Sequence, residues 1–172
     1  MSAKIIQRRN GGFTLLEVIL YIALLAILLG SVVTASFEVI ASSSQSKTEA
    51  MLFTEGDFLL SKIQRGLSMA NTVNIPSLDG TSTILSFNMQ NQLSYNPITF
   101  SQSNNSLVIR KSGGVSEVLN NSNIVLSNLI FFHSNTSKTK PEFVDISFTL
   151  STRSEAGKVI TEVFSLTHYF NQ

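Results

Sequence analysis

The feature that most constrains this chain is a nearly uninterrupted apolar run over residues 13–33. A helix rises about 1.5 Å per residue and needs roughly 20 apolar residues to cross the hydrocarbon core of a membrane, so the run is long enough to span one. Glu17 is the one charged residue in it. A carboxylate in such a span costs about 2.5 to 3.5 kcal/mol on the free-energy scale from membrane-insertion experiments. Because of this cost, a carboxylate is expected where it gains a partner.

The segment before this run is basic. Lys4, Arg8 and Arg9 occur there without any acidic residue, and Gly11 and Gly12 follow directly. Positive residues next to an apolar span stay on the cytoplasmic side of the membrane. The chain is therefore predicted to cross the cytoplasmic membrane once, with its N-terminus in the cytoplasm and the part after residue 33 outside.

The order of these features resembles the processing signal of type IV prepilins and the related pseudopilins. The resemblance rests on the basic leader, on Gly12 and on the sequence FTLLE from Phe13 to Glu17. It implies that a membrane-embedded prepilin peptidase cuts between Gly12 and Phe13 and N-methylates Phe13. It also implies that Glu17, the fifth residue after the cut, meets the N-terminal amine of a neighbouring pilin subunit on the inner-membrane assembly platform.

Elementary electrostatics agrees with that implication. The new amine of Phe13 is a cation at the membrane interface, and Glu17 lies one helical turn deeper. If subunits stack with an axial stagger, the amine of one neutralises the carboxylate of the next. Setting a register is the best-attested role of a buried polar or ionic group. A bulky residue in place of Gly12 is expected to block the peptidase.

Two simpler interpretations stay open. The run could be a secretory signal peptide, with small-residue cleavage sites ending at Ala35 or Ala41. An apolar region of about 7 to 15 residues without an acid is typical of such signals, and this one is longer and contains Glu17. The run could also be an ordinary single-pass anchor in which Glu17 reaches towards the interface.

Length and charge limit the remaining choices. The chain has 172 residues, enough for one modest domain beyond the membrane segment. Its formal charge is +1, and removing the three leader cations leaves −2, so the mature chain has no general electrostatic attraction to nucleic acid. There is no cysteine, which excludes disulfides, thiolate metal sites and cysteine nucleophiles. Many major pilins carry a C-terminal disulfide, so the resemblance favours a minor pilin or minor pseudopilin.

The apolar helix is predicted to continue well past the membrane. No proline occurs before Pro76, and apolar residues in the second half recur at helical intervals. The serines of residues 41–46 are the expected weak point, and Gly30, Gly56 and Gly66 are candidate bends. The stripe that needs a covering surface consists of Leu52, Leu59, Ile63, Leu67 and Ala70.

After this helix, residues 71–80 contain helix breakers, and the apolar period changes to two. The alternation predicts strands at residues 82–87, 97–100, 107–111, 115–119, 124–133, 143–150 and 159–170.

One long helix followed by antiparallel strands predicts an α+β fold. The helix stripe is expected to pack on the apolar face of one antiparallel sheet. The predicted divisions are a cytoplasmic leader at 1–12, a membrane or filament-core helix at 13–33, an outer helix at 34–70 and a globular β domain at 71–172.

No pattern in the sequence favours an enzyme, a cofactor or a metal site. His133 and His168 fall within strand-like apolar stretches, and neither a nucleophile elbow nor a phosphate-binding loop occurs. Acidic residues are scattered, whereas calcium needs several oxygens from one loop. Nucleic acid is the one ligand class left open, since minor pilins of competence pili capture DNA. The basic residues that could form such a patch are Arg110, Lys111, Lys138, Lys140 and Arg153.

Together these observations predict a non-enzymatic structural subunit of a type IV pilus or type II secretion-like filament. It would be stored in the cytoplasmic membrane and then assembled into a cell-surface or periplasmic filament. The competing interpretations are a membrane-anchored extracytoplasmic binding domain and a competence minor pilin that contacts DNA.

Overall fold

The fold is taken from a computed structural model that describes residues 14–90, 93–135, 141–155 and 157–170. The chain divides into two compact units, Met1–Ser43 and Ser44–Gln172. Helix α1, Leu15–Ser68, belongs partly to each unit. The leader residues, Gly12 and Phe13 lie outside the described residues.

Within the first unit, α1 is apolar on all sides. Large side chains such as Leu15, Leu24 and Ile27 are more than half exposed. Three of its hydroxyl groups, those of Ser31, Thr34 and Ser36, bond back to the helix itself. Ser31 donates to the carbonyl of Leu28 at 2.8 Å, and Thr34 donates to that of Gly30 at 2.7 Å. Hydroxyl groups that are satisfied within the helix suit a lipid or helix-packed environment.

The serines of residues 41–46 do not interrupt α1. Serine lowers helix propensity because its hydroxyl competes for backbone hydrogen bonds. Here the neighbouring Thr48 hydroxyl donates to the carbonyl of Ser44 at 2.9 Å, a bond compatible with continuous helix.

In the second unit, α1 buries the predicted apolar stripe. Leu52, Leu59, Ile63 and Leu67 are fully buried, and Ala70 packs at the margin of the same core. The predicted packing of helix on sheet is confirmed. The strand that follows the helix begins only two residues after it ends.

In the described residues, nine strands follow α1 and form two antiparallel sheets. They are β1 (Ala70–Ile75), β2 (Gly80–Ser82), β3 (Ile84–Met89), β4 (Ile98–Ser103), β5 (Ser106–Lys111), β6 (Glu117–Val118), β7 (Val125–Ser134), β8 (Phe143–Arg153) and β9 (Val159–Tyr169). A short 3₁₀ turn, Leu93–Tyr95, precedes β4. The first sheet has the order β1-β3-β4-β5-β6 and the second has the order β2-β7-β8-β9. The α+β fold is therefore confirmed, with two sheets where the sequence predicted one.

The alternation predicted for the last two strands is also confirmed. In β8, Val144, Ile146, Phe148 and Leu150 are buried and the residues between them are partly exposed. In β9, Ile160 and Phe164 are buried, whereas Val159 and Val163 are exposed. The two strands pair over their whole length, from Phe143 opposite Tyr169 to Arg153 opposite Val159.

Strand β1 was missed, because residues 71–80 contain breakers that predict a loop. The strand lies at the edge of the first sheet and has two register irregularities against β3. An edge strand with bulges tolerates asparagine and needs only a partly apolar face. Its pairing with β3 therefore outweighs its low intrinsic strand propensity.

Two glycines proposed as bends prove to be points of close packing. A Cβ atom added at Gly56 would lie 2.1 Å from the ring of Phe164, and one at Gly66 would lie 2.8 Å from the ring of Phe87. Both aromatic rings belong to the core. The glycines therefore allow α1 to approach the sheets closely.

Replacement of Gly56 with alanine is expected to destabilise the second unit by about 1 to 3 kcal/mol, because the ring of Phe164 must move within a packed core. The same replacement at Gly30, where nothing lies within 4 Å of the added atom, is the control. Thermal unfolding of the full chain in detergent should show a lower midpoint for Gly56→Ala and an unchanged one for Gly30→Ala. Equal midpoints would contradict the packing role of Gly56.

Candidate functional site

The candidate site is the beginning of α1, where Thr14 and Glu17 form a helix cap. The backbone N–H of Glu17 donates to the Thr14 hydroxyl at 3.3 Å and to the Thr14 carbonyl at 3.1 Å. A threonine followed three residues later by a glutamate is the capping-box pattern, which fixes the first turn of a helix. The sequence analysis missed this role of Thr14, although the pattern was visible in the residues.

The carboxylate of Glu17 has a second contact one turn further along. The hydroxyl of Tyr21 donates to Oε1 of Glu17 at 3.2 Å. Glu17 is partly buried, whereas its neighbours Leu15 and Leu16 are 79% and 76% exposed. Glu17 lies in the first turn of α1, where the helix dipole favours an acidic side chain.

No cation of the described first unit can neutralise this carboxylate. Residues 14–43 contain two acids, Glu17 and Glu38, and neither lysine nor arginine. A hydrogen bond from a tyrosine hydroxyl satisfies only one acceptor position of a carboxylate, which has room for about four. A positive group brought from elsewhere, such as a free N-terminal amine, would complete the site.

The surface around Glu17 suits a lipid or protein environment. Helix α1 contains the only stretch in the described residues that is long and apolar enough to cross a membrane, and none of that stretch is buried within the chain. Of the predicted site residues, the structure describes Glu17, while Gly12 and Phe13 fall outside it.

His133 has a structural environment in the second unit. The residue is 4% exposed, with Nε2 at 2.7 Å from Oε1 of Glu142 and Nδ1 at 3.1 Å from the carbonyl oxygen of Pro76. Both partner atoms accept hydrogen bonds. The two contacts connect His133, on β7, to the loops that contain Pro76 and Glu142. His168 lies on β9 with its ring 5.0 Å from that of Phe170, and burial lowers the pKa of His168 below its usual value.

Replacement of Glu142 with alanine is therefore expected to leave a buried ring nitrogen of His133 unpaired, at a cost of about 1 to 3 kcal/mol. Urea unfolding of the full chain in detergent should show the loss, and Glu155→Ala, which removes an exposed acid, should not. A midpoint of Glu142→Ala equal to that of the unmodified chain would contradict the structural role of this pair.

The predicted basic patch is divided between the sheets. Arg110 and Lys111 belong to β5 in the first sheet, and Arg153 ends β8 in the second. Nζ of Lys111 also lies 3.9 Å from Oε2 of Glu117, and both side chains are largely exposed. Lys138 and Lys140 lie outside the described residues.

A groove that the sequence did not predict lies where α1 ends against the first sheet. It has a volume of about 450 Å³, and its lining includes Lys62, Arg65 and Lys111 but no acidic residue. Met69 and Tyr95 provide part of its apolar wall. Within the described residues, no group of three histidine, aspartate or glutamate side chains is arranged to hold a metal ion.

Comparison with protein families gives a match to the beginning of the chain. Residues 7–33 match the family model described as the prokaryotic N-terminal methylation motif. The match includes Gly12, Phe13 and Glu17, and it supports a type IV pilin-like structural subunit that is processed at this motif. Together with the apolar helix, it fits a single-pass membrane anchor. Comparison with curated proteins and with solved structures gave no match.

Proposed function

We propose that this protein is a structural subunit of a type IV pilus or of a type II secretion-like filament, most consistent with a minor pilin or minor pseudopilin. The observation that carries the proposal is the methylation motif at residues 7–33, which includes the beginning of an exposed apolar helix with Glu17 in its first turn. An exposed helix of this kind is soluble in lipid and can exchange lipid contacts for contacts with other helices.

In this proposal the chain has four parts. Residues 1–12 are a cytoplasmic leader, removed by prepilin peptidase between Gly12 and Phe13. Residues 13–33 form the membrane and filament-core helix, residues 34–70 the outer helix, and residues 71–172 the extracytoplasmic domain. Methylated Phe13 then starts the mature chain.

Glu17 acts during assembly. The bond from the backbone N–H of Glu17 to Thr14 fixes the first turn, and the bond from Tyr21 orients the carboxylate. The amine of a neighbouring subunit provides the missing positive charge. Because each group is costly in an apolar environment without the other, pairing favours a single axial stagger between subunits. The assembly platform in the membrane supplies subunits to the growing filament.

Isolation of filaments tests this assignment. The chain, expressed in cells that carry a complete pilus or secretion system, should occur with the filament subunits after the filaments are sheared from the cells. A subunit that occurs only in the membrane fraction under conditions of active assembly would instead indicate a single-pass anchored binding domain.

One observation, the groove with Lys62, Arg65 and Lys111, favours the two alternatives, an anchored binding domain and a competence minor pilin that contacts DNA. Three cations beside an apolar wall suit an anionic ligand, and single-stranded DNA has this chemistry. If the chain is a competence minor pilin that contacts DNA, Arg65→Ala should weaken its retention on single-stranded DNA at low salt. Equal retention of the Arg65→Ala variant and of the unmodified chain would argue against this groove as the DNA contact.

A further inference from the structure

Strand β9 is a long, free edge of the second sheet. It occupies the last position in the order β2-β7-β8-β9 and pairs with β8 on one side only. Its 11 residues pair with β8 without a bulge or register shift. The other side of the strand has no partner strand in the described chain.

Two hydrogen bonds show which backbone groups face that free side. The N–H of Phe170 donates to the carbonyl of Glu142 at 2.8 Å, and the N–H of Ser154 donates to the carbonyl of Lys158 at 2.8 Å. Both continue the register of β8 and β9, so even-numbered residues of β9 bond to β8. The odd-numbered residues direct their N–H and carbonyl groups away from β8: Val159, Thr161, Val163, Ser165, Thr167 and Tyr169.

This edge lacks most of the features that protect free strands. Natural edges are shielded by proline, lysine, bulges or short length. The odd-numbered side chains of β9 are all uncharged, and Val163 is 73% exposed. The strand is therefore open to pairing with a further extended strand.

The even-numbered side chains of β9 indicate which residues of a pairing strand should lie opposite them. Glu162 and His168 are both partly buried on the inner side of β9, with Phe164 and Leu166 between them. In an antiparallel pair of two β9 strands with its two-fold axis at Ser165, Glu162 of each copy lies opposite His168 of the other. Axes at Val163, Phe164 or Leu166 would instead place Glu162 opposite Phe164, Leu166 or Phe170.

The same register suits the apolar residues and the backbone. It places Phe164 opposite Leu166, which keeps the apolar centre together. Because odd-numbered residues carry the free backbone groups, Ser165 would form a hydrogen-bonded pair and Glu162 with His168 a non-hydrogen-bonded pair. In such a pair the Cα atoms lie about 4.5 Å apart and the side chains are close, which suits a carboxylate opposite an imidazole donor.

We propose that two copies of this chain associate through antiparallel pairing of their β9 edges, with the two-fold axis at Ser165. A two-fold contact uses the same surface on both copies and closes on itself. This association does not depend on the function proposed above.

A single cysteine tests both the pairing and its register, because the chain has no cysteine of its own. In the proposed pair, the two copies of residue 165 have Cα atoms about 5.5 Å apart, within the range of a disulfide. Ser165→Cys in the full chain in detergent micelles should form a disulfide-linked dimer under mild oxidation, at least ten times faster than the control.

The control is Thr161→Cys, on the same strand and also exposed. Its two copies would be eight residue steps apart, about 27 Å at about 3.4 Å per residue, and should remain monomeric. Equal cross-linking of both variants would indicate contact through the apolar helices and would overturn the proposal. Absence of cross-linking by Ser165→Cys would also overturn it.

Charge exchange and edge blocking supply an independent measurement. Glu162→Lys should lower the dimer fraction in sedimentation, and Glu162→Lys combined with His168→Glu should restore it. Val163→Pro removes an N–H that β8 does not use and should abolish the dimer while circular dichroism retains the strand signal. A dimer that persists in Val163→Pro would contradict pairing through β9.

Discussion

Replacing Glu17 with alanine is expected to remove the subunit from filaments while leaving its processing and membrane insertion intact. The processing motif surrounds the cleavage position, and an apolar helix without its one early carboxylate inserts more easily. Assembly should fail because the N-terminal amine of a neighbour would then be buried without a counter-charge, a loss of about 3 to 5 kcal/mol. Incorporation should fall by about 100-fold or more, measured as the ratio of filament to membrane subunit.

The matched control is Glu38→Ala, which removes the other acid of the first unit. Glu38 lies beyond the predicted membrane span, and its removal should leave incorporation unchanged. Normal incorporation of Glu17→Ala would contradict the proposed charge pair. Equal losses for both variants would show that the net charge of the helix matters and the position of Glu17 does not.

Replacing Gly12 with valine is expected to block processing completely. The resemblance to prepilins places the cut directly after Gly12, where a branched side chain would obstruct the peptidase. The variant should stay in the membrane at its precursor length with its leader attached, and none of it should reach filaments. Gel mobility and the intact mass of the purified chain measure this outcome.

The neighbouring glycine provides the control for that variant. Gly11→Val places the same side chain at the second residue before the cut, and its product should be cleaved to the mature length. Cleavage of Gly12→Val at the normal rate would contradict the assigned cut site. Failure of both variants would mean that the leader tolerates no branched residue near the cut.

The sequence predicted the local elements of this fold well. The stripe from Leu52 to Leu67 was visible because burial on one helix face repeats at intervals of three and four residues. Strands β8 and β9 were visible because each has one buried face and alternates with a period of two. In both cases the information lies within one segment.

Long-range pairing was not predictable in the same way. The division into two sheets depends on contacts such as Gly80 in β2 with His133 in β7, which no local pattern encodes. Strand β1 depends on its partner β3, and the need for Gly56 depends on the position of Phe164. These features arise only when distant segments meet.

The candidate site was predicted in part. The apolar run and Glu17 were conspicuous because acidic residues are rare within segments long enough to span a membrane. The cap by Thr14 and the bond from Tyr21 were missed, although their spacings of three and four residues before and after Glu17 are those of helical neighbours.

The mass of the mature N-terminal peptide tests the central claim most directly. The chain should be purified from cells that process other prepilins and digested, and its first peptide should be identified by mass spectrometry. The account predicts a peptide that begins at Phe13 and carries one additional methyl group on its amine. A peptide that begins at Met1, or one that begins at Ser36 or Ser42 after signal-peptide cleavage, would contradict it.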